Sequence, residues 1–308
     1  MRHMKASTVV VKIGGRTLSA SGVLDRLVSD VAGIVGTEQA YRIIIVHGGG
    51  AEVTALAERL GIVSEFADGI RMTGAEEMDA VDMVLSGLVN KRVARRFQAA
   101  GVDAVGISGS DGGTLIGEPV LRPDGRESRT ARPSAGGPAL LRHLLDGGYL
   151  AVVASTVMDE GGRGLNLNAD DAALEIAKML EADALLFLSD VPGVLRAAGT
   201  EHGRAAGTEH GRAAGTEHGR GGSAGEAGTE AGAEERAESG ATVIHDLPAS
   251  AVEAEIEAET ISGGMIPKTR SSVGALHAGV GTVIIGPYTE DGSLQALLAG
   301  RRGTRIHL

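Results

Sequence analysis

Two glycine-rich turns in the sequence have the composition of an anion-binding site. The first follows VVVKI and contains Lys12, Gly14 and Gly15, and the second, residues 48–50 in VHGGGAEV, opens a segment with a helical pattern. Glycine lets backbone N–H groups approach an anion closely, and the N-terminus of a helix favours a phosphate or a carboxylate. Either turn alone could equally be a tight connection, but two such turns with a lysine favour anion binding.

Three further segments carry polar side chains suited to the same chemistry. GIRMT contains Arg71, whose planar guanidinium suits a carboxylate. GLNLNADD contains Asn166, Asn168 and Asp170 at the start of a predicted helix, and ISGGMIPK ends in Lys268 ahead of another. Taken singly, Asp170 could be a helix cap and Lys268 a solvated side chain. The chain has no GxxxxGK[ST] P-loop, and GGG lacks the G-x-G-x-x-G spacing of dinucleotide-binding folds.

Apolar runs and helical patterns alternate along the chain and predict the elements that would position these residues. The predicted buried strands are residues 9–13, 42–47, 104–108, 150–155, 184–189 and 282–286. The predicted helices are residues 23–35, 52–61, 169–182 and 269–279. Continuous β-branched runs are typical of a parallel sheet covered on both faces. The sequence therefore predicts an α/β fold with a mainly parallel central sheet sandwiched by helices, and ligands beyond the carboxyl ends of its strands.

The composition excludes several classes of function. A net charge of −11 argues against a nucleic-acid partner, and 2% aromatic residues against base stacking. The chain has no cysteine, so disulfides and thiol catalysis are excluded. No apolar run approaches the ~18 residues of a membrane helix, and the first residues lack a signal-peptide pattern. We therefore expect a cytoplasmic protein with no membrane partner.

One segment breaks the alternation. The octad RAAGTEHG occurs three times in succession from Arg196, and residues 196–240 contain no Val, Ile, Leu, Met, Phe or Tyr. Such a segment cannot bury enough apolar surface to offset the entropy of ordering it, which predicts a disordered low-complexity insert. Its histidines, His202, His210 and His218, are eight residues apart, whereas histidine pairs that bind a metal on one helix prefer shorter spacings. Metal binding is therefore disfavoured.

Taken in order, the motifs resemble the amino acid kinase family and, within it, the acetylglutamate kinases. The matching motifs are KIGG (12–15), VHGGG (46–50), GIRMT (69–73), MVLSGLVNK (83–91), AVGISGSDGG (104–113), NLNADDAA (166–173), LSDVPGVL (188–195), GGMIPK (263–268) and GTRI (303–306). The resemblance implies the αβα fold of carbamate kinase-like enzymes in two lobes. Residues 1–180 would bind the acyl amino acid and dimerise, and residues 181–308 would bind the nucleotide. The insert at 196–240 is the main departure.

The resemblance implies ATP-dependent phosphorylation of the side-chain carboxylate of N-acetyl-L-glutamate, giving N-acetyl-L-glutamyl 5-phosphate in arginine biosynthesis. That carboxylate is already ionised at neutral pH, so the reaction needs no general base. It needs positive charge, because negative charge spreads over the transferred phosphoryl group. By similarity, Lys12 and Lys268 supply that charge from the attacking and leaving sides, and Asp170 holds both ammonium groups.

The resemblance also assigns binding residues. Those implied for the acyl amino acid are Gly49, Gly50, Arg71 and Asn166. Those implied for the nucleotide are Gly14, Gly15, Asp190, Val191, Pro192, Gly193, Val194, Leu195, Thr260, Ile261 and Ser262. ATP would be the co-substrate, and Mg²⁺ would be held by the nucleotide phosphates rather than by a protein ligand.

Two alternatives remain open. One is an N-acetyl- or carrier-linked aminoadipate kinase of lysine biosynthesis, which shares several motifs. The other is a non-catalytic ligand-sensing protein on the same fold, which would be expected to lack a reacting lysine or the aspartate. The resemblance further implies a homodimer formed through the N-terminal lobe. Because few residues precede the first predicted strand, we expect the enzyme to be insensitive to arginine.

Overall fold

The structure is a computed structural model that describes residues 6–19, 22–38, 41–67, 69–196, 242–288 and 293–308. The three histidines of the repeat and residues 197–240 of the predicted insert lie outside the described residues.

Strands and helices alternate along most of the described chain. The strands are β1 (Ser7–Ile13), β2 (Tyr41–His47), β3 (Phe66–Ala67), β4 (Ile70–Arg71), β5 (Ala104–Ser108), β6 (Ile116–Leu121), β7 (Glu127–Ala135), β8 (Leu150–Ala154), β9 (Thr156–Met158), β10 (Gly164–Leu167), β11 (Ala184–Ser189), β12 (Leu195–Arg196), β13 (Thr242–Val243), β14 (Asp246–Pro248), β15 (Val283–Pro287) and β16 (Thr304–His307). The α-helices are α1 (Gly15–Ser19), α2 (Val23–Glu38), α3 (Gly50–Arg59), α4 (Ala75–Asp82), α5 (Asn90–Ala99), α6 (Ala139–Asp146), α7 (Ala169–Leu180), α8 (Val252–Glu257), α9 (Met265–His277) and α10 (Ser293–Leu298). A π-helical segment, Met83–Val89, joins α4 to α5, and short 3₁₀ turns lie at Asp111–Gly113 and Ala249–Ala251.

A central sheet of eight strands organises the fold. Its order is β14-β16-β15-β11-β1-β2-β8-β5, and the six strands from β15 to β5 are mutually parallel. Among the described strands of this sheet, only the pairing of β15 with β16 is antiparallel. The predicted α/β class with a mainly parallel sheet is therefore confirmed. All six predicted strands are present, and their observed ends lie within two residues of the predicted ones.

Two hydrophobic cores lie on opposite faces of this sheet. Successive side chains of a strand point to opposite faces, and β1 follows this rule. Val9, Val11 and Ile13 pack with α2 and α5 in one core, whereas Val10 packs with α7 and α9 in the other. Lys12 has the same parity as Val10, so the alternation of β1 places it on the face covered by α7 and α9.

A second, smaller sheet is formed by four strands that close on one another in the order β10-β7-β6-β9. The sequence analysis did not predict it. Its strands are short and mixed in polarity, as in IGEPVL (116–121), so they lack the continuous apolar runs that mark the central strands. The small sheet positions two predicted site residues, because β10 carries Asn166 and leads directly into α7, which carries Asp170.

The lobe boundary predicted at residue 180 falls at the end of α7. The next strand, β11, pairs with β1 along its length, so one sheet continues across the boundary. The division into a substrate part and a nucleotide part stays a prediction.

Beyond this boundary, β12 and β13 form a two-stranded hairpin in which Arg196 pairs with Thr242. None of the helices in the described ranges has the length and apolar character needed to cross a bilayer.

Candidate active site

Two lysines meet one aspartate beyond the carboxyl ends of the central strands. The Nζ atom of Lys12 lies 2.7 Å from Oδ1 of Asp170, and the Nζ atom of Lys268 lies 3.2 Å from Oδ2. The ammonium group of Lys268 also lies 5.1 Å from the centre of the Phe187 ring on β11. The three residues predicted to act together are therefore brought together, from positions 12, 170 and 268 of the chain.

Three elements on one face of the sheet create this arrangement. Lys12 is the penultimate residue of β1, Asp170 lies in the first turn of α7, and Lys268 lies in the first turn of α9. Helix α7 is capped by Asn168, whose Oδ1 accepts the backbone N–H of Asp170 at 2.9 Å. Asn168 thus takes the capping role that the sequence left open for Asp170, and the carboxylate of Asp170 remains available to the lysines.

Electrostatics keep Asp170 ionised. Burial alone would raise the pKa of its carboxyl group, but the charges and hydrogen bonds of Lys12 and Lys268 outweigh burial and lower the pKa below its ordinary value. The cluster of Asp170, Lys12 and Lys268 has one negative and two positive charges. It therefore presents a net positive charge to whatever anion enters.

A cavity of about 350 Å³ opens beside the two lysines. The glycines of the first turn, Gly14 and Gly15, line it together with Gly50 and Asp190. A cavity with two ammonium groups and exposed glycine backbone has the composition of a phosphate-binding site.

A second cavity, of about 230 Å³, lies on the other side of the glycine turn at residues 48–50. The predicted substrate residues Gly49, Gly50, Arg71 and Asn166 all line it. Gly50 lines both cavities. The two cavities are therefore neighbours at this glycine.

Arg71 makes several contacts within the protein that its sequence context did not indicate. Its Nη1 lies 2.6 Å from Oε1 of Glu77, and its Nη2 donates to Thr54 Oγ1 at 2.7 Å and to the Gly50 carbonyl at 3.2 Å. The guanidinium also stacks on the ring of Phe66, at 4.8 Å from its centre. The arginine therefore supports the glycine turn and shares its charge with a buried acid, in addition to lining the cavity.

Glu77 was not identified in the sequence analysis. It is 2% exposed, and its Oε2 accepts the backbone N–H of Gly74 at 3.3 Å in the manner of a capping box for α4. The spacing of a capping acid three residues after a helix start was visible in GAEE (74–77), but that signal indicates a helix terminus. It gives no indication of a contact with Arg71.

Asn166 is held by its neighbours in the small sheet. Its Nδ2 donates to Thr73 Oγ1 at 2.9 Å, and the Thr73 backbone N–H donates to Thr130 Oγ1 at 3.0 Å. The amide of Asn166 is thus fixed beside the segment that carries Arg71.

The residues predicted to bind the nucleotide fall into two groups. Gly14, Gly15 and Asp190 line the cavity at the lysines. The remainder do not line either of the two cavities: Val191, Pro192, Gly193, Val194, Leu195, Thr260, Ile261 and Ser262.

Within that second group, the Val194 backbone N–H donates to Thr304 Oγ1 at 2.7 Å, and Val194 and Ile261 have buried side chains. These two side chains are part of the core beneath β11 and β15. Their contact with a nucleotide stays a prediction.

Acidic and histidine side chains in the described part of the chain do not form a group of three that could hold a metal ion. The donor set near the lysines consists of Asp170, which the lysines engage, and Asp190.

Sequence comparison finds a matching family profile and relatives that are named acetylglutamate kinase. The profile of the Amino acid kinase family matches residues 7–208. The acetylglutamate kinase of Roseobacter denitrificans is 33% identical over 285 residues, covering 92% of this chain and 83% of that protein. The acetylglutamate kinase of Geobacillus kaustophilus is 34% identical over 280 residues, covering 90% and 89%. The chloroplastic acetylglutamate kinase of Arabidopsis thaliana is 33% identical over 287 residues, covering 92% and 70%.

Solved structures share the fold at lower identity. An N-acetylglutamate synthase from Neisseria gonorrhoeae, complexed with coenzyme A and N-acetyl-glutamate, superposes with a TM-score of 0.72 at 24% identity. All of this chain is covered, but only 61% of the synthase, so the likeness concerns part of that protein. Carbamate kinase from Giardia lamblia bound to AMP-PNP has a TM-score of 0.63 at 14% identity, with 99% of both chains covered.

The buried pair of Arg71 and Glu77 generates a prediction about stability. Glu77→Gln keeps the shape of the side chain but leaves the guanidinium buried without its counter-charge, which typically costs about 3–5 kcal/mol. We expect the free energy of unfolding, measured in urea, to fall by about that amount. Glu76→Gln, an exposed residue in the same turn of α4, is the matched control and should change stability by less than about 0.5 kcal/mol. Equal effects of the two substitutions would contradict the role given to the pair.

Proposed function

The chain belongs to the amino acid kinase family, and on that premise we propose that this kinase transfers the γ-phosphoryl group of ATP to the side-chain carboxylate of N-acetyl-L-glutamate, a step of arginine biosynthesis. The observation that carries the proposal is the placement of Lys12 and Lys268 on the two oxygens of Asp170, beside two cavities that share Gly50. The relatives named acetylglutamate kinase support the choice of substrate.

The reaction brings two anions together, so positive charge is its main requirement. The carboxylate of the substrate is ionised at neutral pH and can attack without a base. In the proposal, Lys12 neutralises charge on the attacking side and Lys268 on the leaving side, while negative charge spreads over the transferred group. Asp170 orients both lysines and prevents them from repelling one another.

Backbone N–H groups complete the proposed arrangement. Gly14 and Gly15 face the phosphates of the nucleotide, and Gly49 and Gly50 face the reacting carboxylate. Mg²⁺ is held by the phosphates of ATP, where it neutralises charge on the nucleotide. The contacts of residues 190–195 and 260–262 with the nucleotide belong to the same proposal.

Recognition of the acyl amino acid uses the second cavity. Arg71 meets the α-carboxylate of the substrate, and Asn166 meets the acetylamino group or that carboxylate. Because Glu77 already offsets the charge of Arg71, the substrate carboxylate shares the guanidinium with a protein acid. Binding therefore depends on the shape of the cavity and on its amide donors as well as on charge.

A substrate panel tests the proposed reaction. A coupled assay of ADP release would compare N-acetyl-L-glutamate with N-acetyl-L-aminoadipate and N-acetyl-L-aspartate, which differ by one methylene. We expect N-acetylglutamate to have the highest kcat/KM, by roughly 10–200-fold, the usual discrimination for one methylene. Preference for acetylaminoadipate, or for its carrier-linked form, would contradict the proposed substrate. Release of ADP from none of them would favour a ligand-sensing protein.

Removal of either lysine tests the mechanism. Lys12→Ala and Lys268→Ala each take away one charge that the transition state needs, and we expect kcat to fall by roughly 10²–10³-fold or more. Asp170→Asn should also lower kcat, because neither ammonium group is then held. Lys178→Ala is the control, since Lys178 lies on the same helix as Asp170 but pairs with Glu175 at the surface. Full activity of the Lys12 variant would contradict the assignment.

We also propose that the enzyme is a cytoplasmic homodimer formed through residues 1–180. Two large apolar side chains, Met83 and Leu88, are 60% and 56% exposed on the segment that joins α4 to α5, which supports an interface there.

Light scattering tests this assembly. We expect a mass of twice 31.2 kDa, and we expect Leu88→Glu to give a monomer because it places a charge in the apolar contact. Leu308→Glu, at another exposed apolar position, is the control and should remain dimeric. A monomeric wild-type protein would contradict the proposal.

A further inference from the structure

His47 is a buried histidine that the proposed mechanism does not use. It is the last residue of β2, is fully shielded from solvent, and directly precedes the glycine turn. Its Nδ1 lies 2.9 Å from the carbonyl oxygen of Gly48, and its Nε2 lies 3.1 Å from Nδ2 of Asn90. A carbonyl can only accept, so Nδ1 must carry the proton. An amide nitrogen can only donate, so Nε2 must be bare.

Asn90 offers two N–H groups to three acceptors, the ring nitrogen of His47 and two backbone carbonyls, and all three contacts place the amide nitrogen rather than the oxygen towards His47. Its Nδ2 lies 3.0 Å from the carbonyl oxygen of Ile107 on β5 and 2.9 Å from that of Val152 on β8, whereas its Oδ1 accepts from Lys91 Nζ at 3.1 Å. A reversed amide would face two carbonyls with an oxygen. The side chain also fills the space above Gly106, where a Cβ atom would lie 2.2 Å from Oδ1.

The ring is held in its neutral form. Burial lowers the pKa of His47 to about 4, with the charges of Arg92 and Lys91 acting in the same direction, and the Gly48 hydrogen bond and Glu52 acting against it. Near neutral pH the imidazole therefore keeps one proton, at the nitrogen that faces Gly48.

The bond to Gly48 determines the direction of a neighbouring donor. The carbonyl of Gly48 and the N–H of Gly49 belong to the same peptide unit, and in a trans peptide the two point in opposite directions. The described chain contains no cis peptide. When His47 holds the carbonyl on the buried side, the N–H of Gly49 must point away from it. Gly49 lines the substrate cavity, and in the described part of the chain its N–H donates to no other group.

We propose that His47, fixed in one tautomer by Asn90, is a positioning residue that aims the N–H of Gly49 at the reacting carboxylate of the acyl amino acid. The inference rests on the proposed function, which places that carboxylate at Gly49 and Gly50. Asn90 is the first residue of α5, directly after the π-helical segment, and it bonds to β5 and β8. The central sheet therefore determines the direction in which the Gly49 N–H points. A donor that is fixed before the substrate arrives needs no reorganisation during the reaction.

The other hydrogen bonds of this turn hold its C-terminal side, where the Gly49 carbonyl accepts the Val53 N–H at 3.0 Å and the Gly50 carbonyl accepts Arg71 Nη2 at 3.2 Å. A Cβ atom at Gly49 would lie 2.8 Å from Leu85 Cδ2 and 3.3 Å from Val89 Cγ2, so a side chain cannot be used to stiffen this position. Gly49 itself has φ 162° and ψ 40°. The bond of His47 to the Gly48 carbonyl acts on the peptide unit that carries the Gly49 N–H.

The test compares the turnover of His47 variants with that of an equally destabilised control. His47→Phe keeps the ring but removes both hydrogen bonds, and we expect kcat to fall roughly 10–100-fold, while the KM for ATP changes less than about twofold. His47→Gln keeps an amide donor and should recover part of the lost kcat. Leu141→Ala, a buried residue of α6, lowers stability without touching the turn and should keep the kcat of the wild-type protein.

A second variant and a spectroscopic readout complete the test. If His47→Phe does not fold, Asn90→Ala carries the same comparison, because it removes the group that fixes the tautomer. In the wild-type protein, ¹⁵N spectra of the imidazole should show a proton on Nδ1 only, and the amide signal of Gly49 should shift when N-acetylglutamate is added.

Two outcomes would overturn the inference: a proton on Nε2, or a kcat in the His47 variants no lower than in Leu141→Ala at the same melting temperature. Failure of the proposed function is seen separately, since the wild-type enzyme would then phosphorylate no member of the substrate panel or would prefer another member to N-acetylglutamate.

Discussion

The ion pairs of Asp170 with two lysines are the interaction on which the rest of the site depends. One carboxylate joins the end of a central strand to the first turns of two helices that are nearly a hundred residues apart in the chain. Removal of either lysine leaves one ion pair, whereas removal of the carboxylate leaves two ammonium groups facing each other. Burial alone would raise the pKa of this carboxyl group, but the two lysines lower it, so Asp170 is ionised at neutral pH.

The central sheet determines which side chains can reach that point. The alternation of β1 sends Val9, Val11 and Ile13 to one core and Lys12 to the other face, where α7 and α9 begin. A one-residue slip in the pairing of β1 would turn the lysine away and bury it among apolar groups. The register of β1 against β2 and β11 is thus as much a condition for catalysis as the lysine itself.

Much of this arrangement could be predicted from the sequence. Continuous apolar runs gave six central strands, and glycines at strand ends gave the two turns, because both signals are local. The motif order identified Lys12, Asp170 and Lys268. The small sheet could not be predicted, because its strands lack a clear hydrophobic period.

The partners of Arg71 and of Gly48 were missed for a different reason. The Glu77–Arg71 pair joins α4 to β4, and the contact of Asn90 with His47 joins the start of α5 to the end of β2. A buried acid and a buried histidine have no periodic pattern that reveals such a contact. Their roles depend on geometry that exists only after folding.

The hairpin of β12 and β13 has a consequence for how this chain can vary in length. Since Arg196 pairs with Thr242, the two described residues that flank positions 197–241 are neighbours in the fold. Doubling the length of chain between two fixed ends costs only about 0.6 kcal/mol in closure entropy. A change in the number of octads at this position is therefore expected to alter the free energy of folding only slightly.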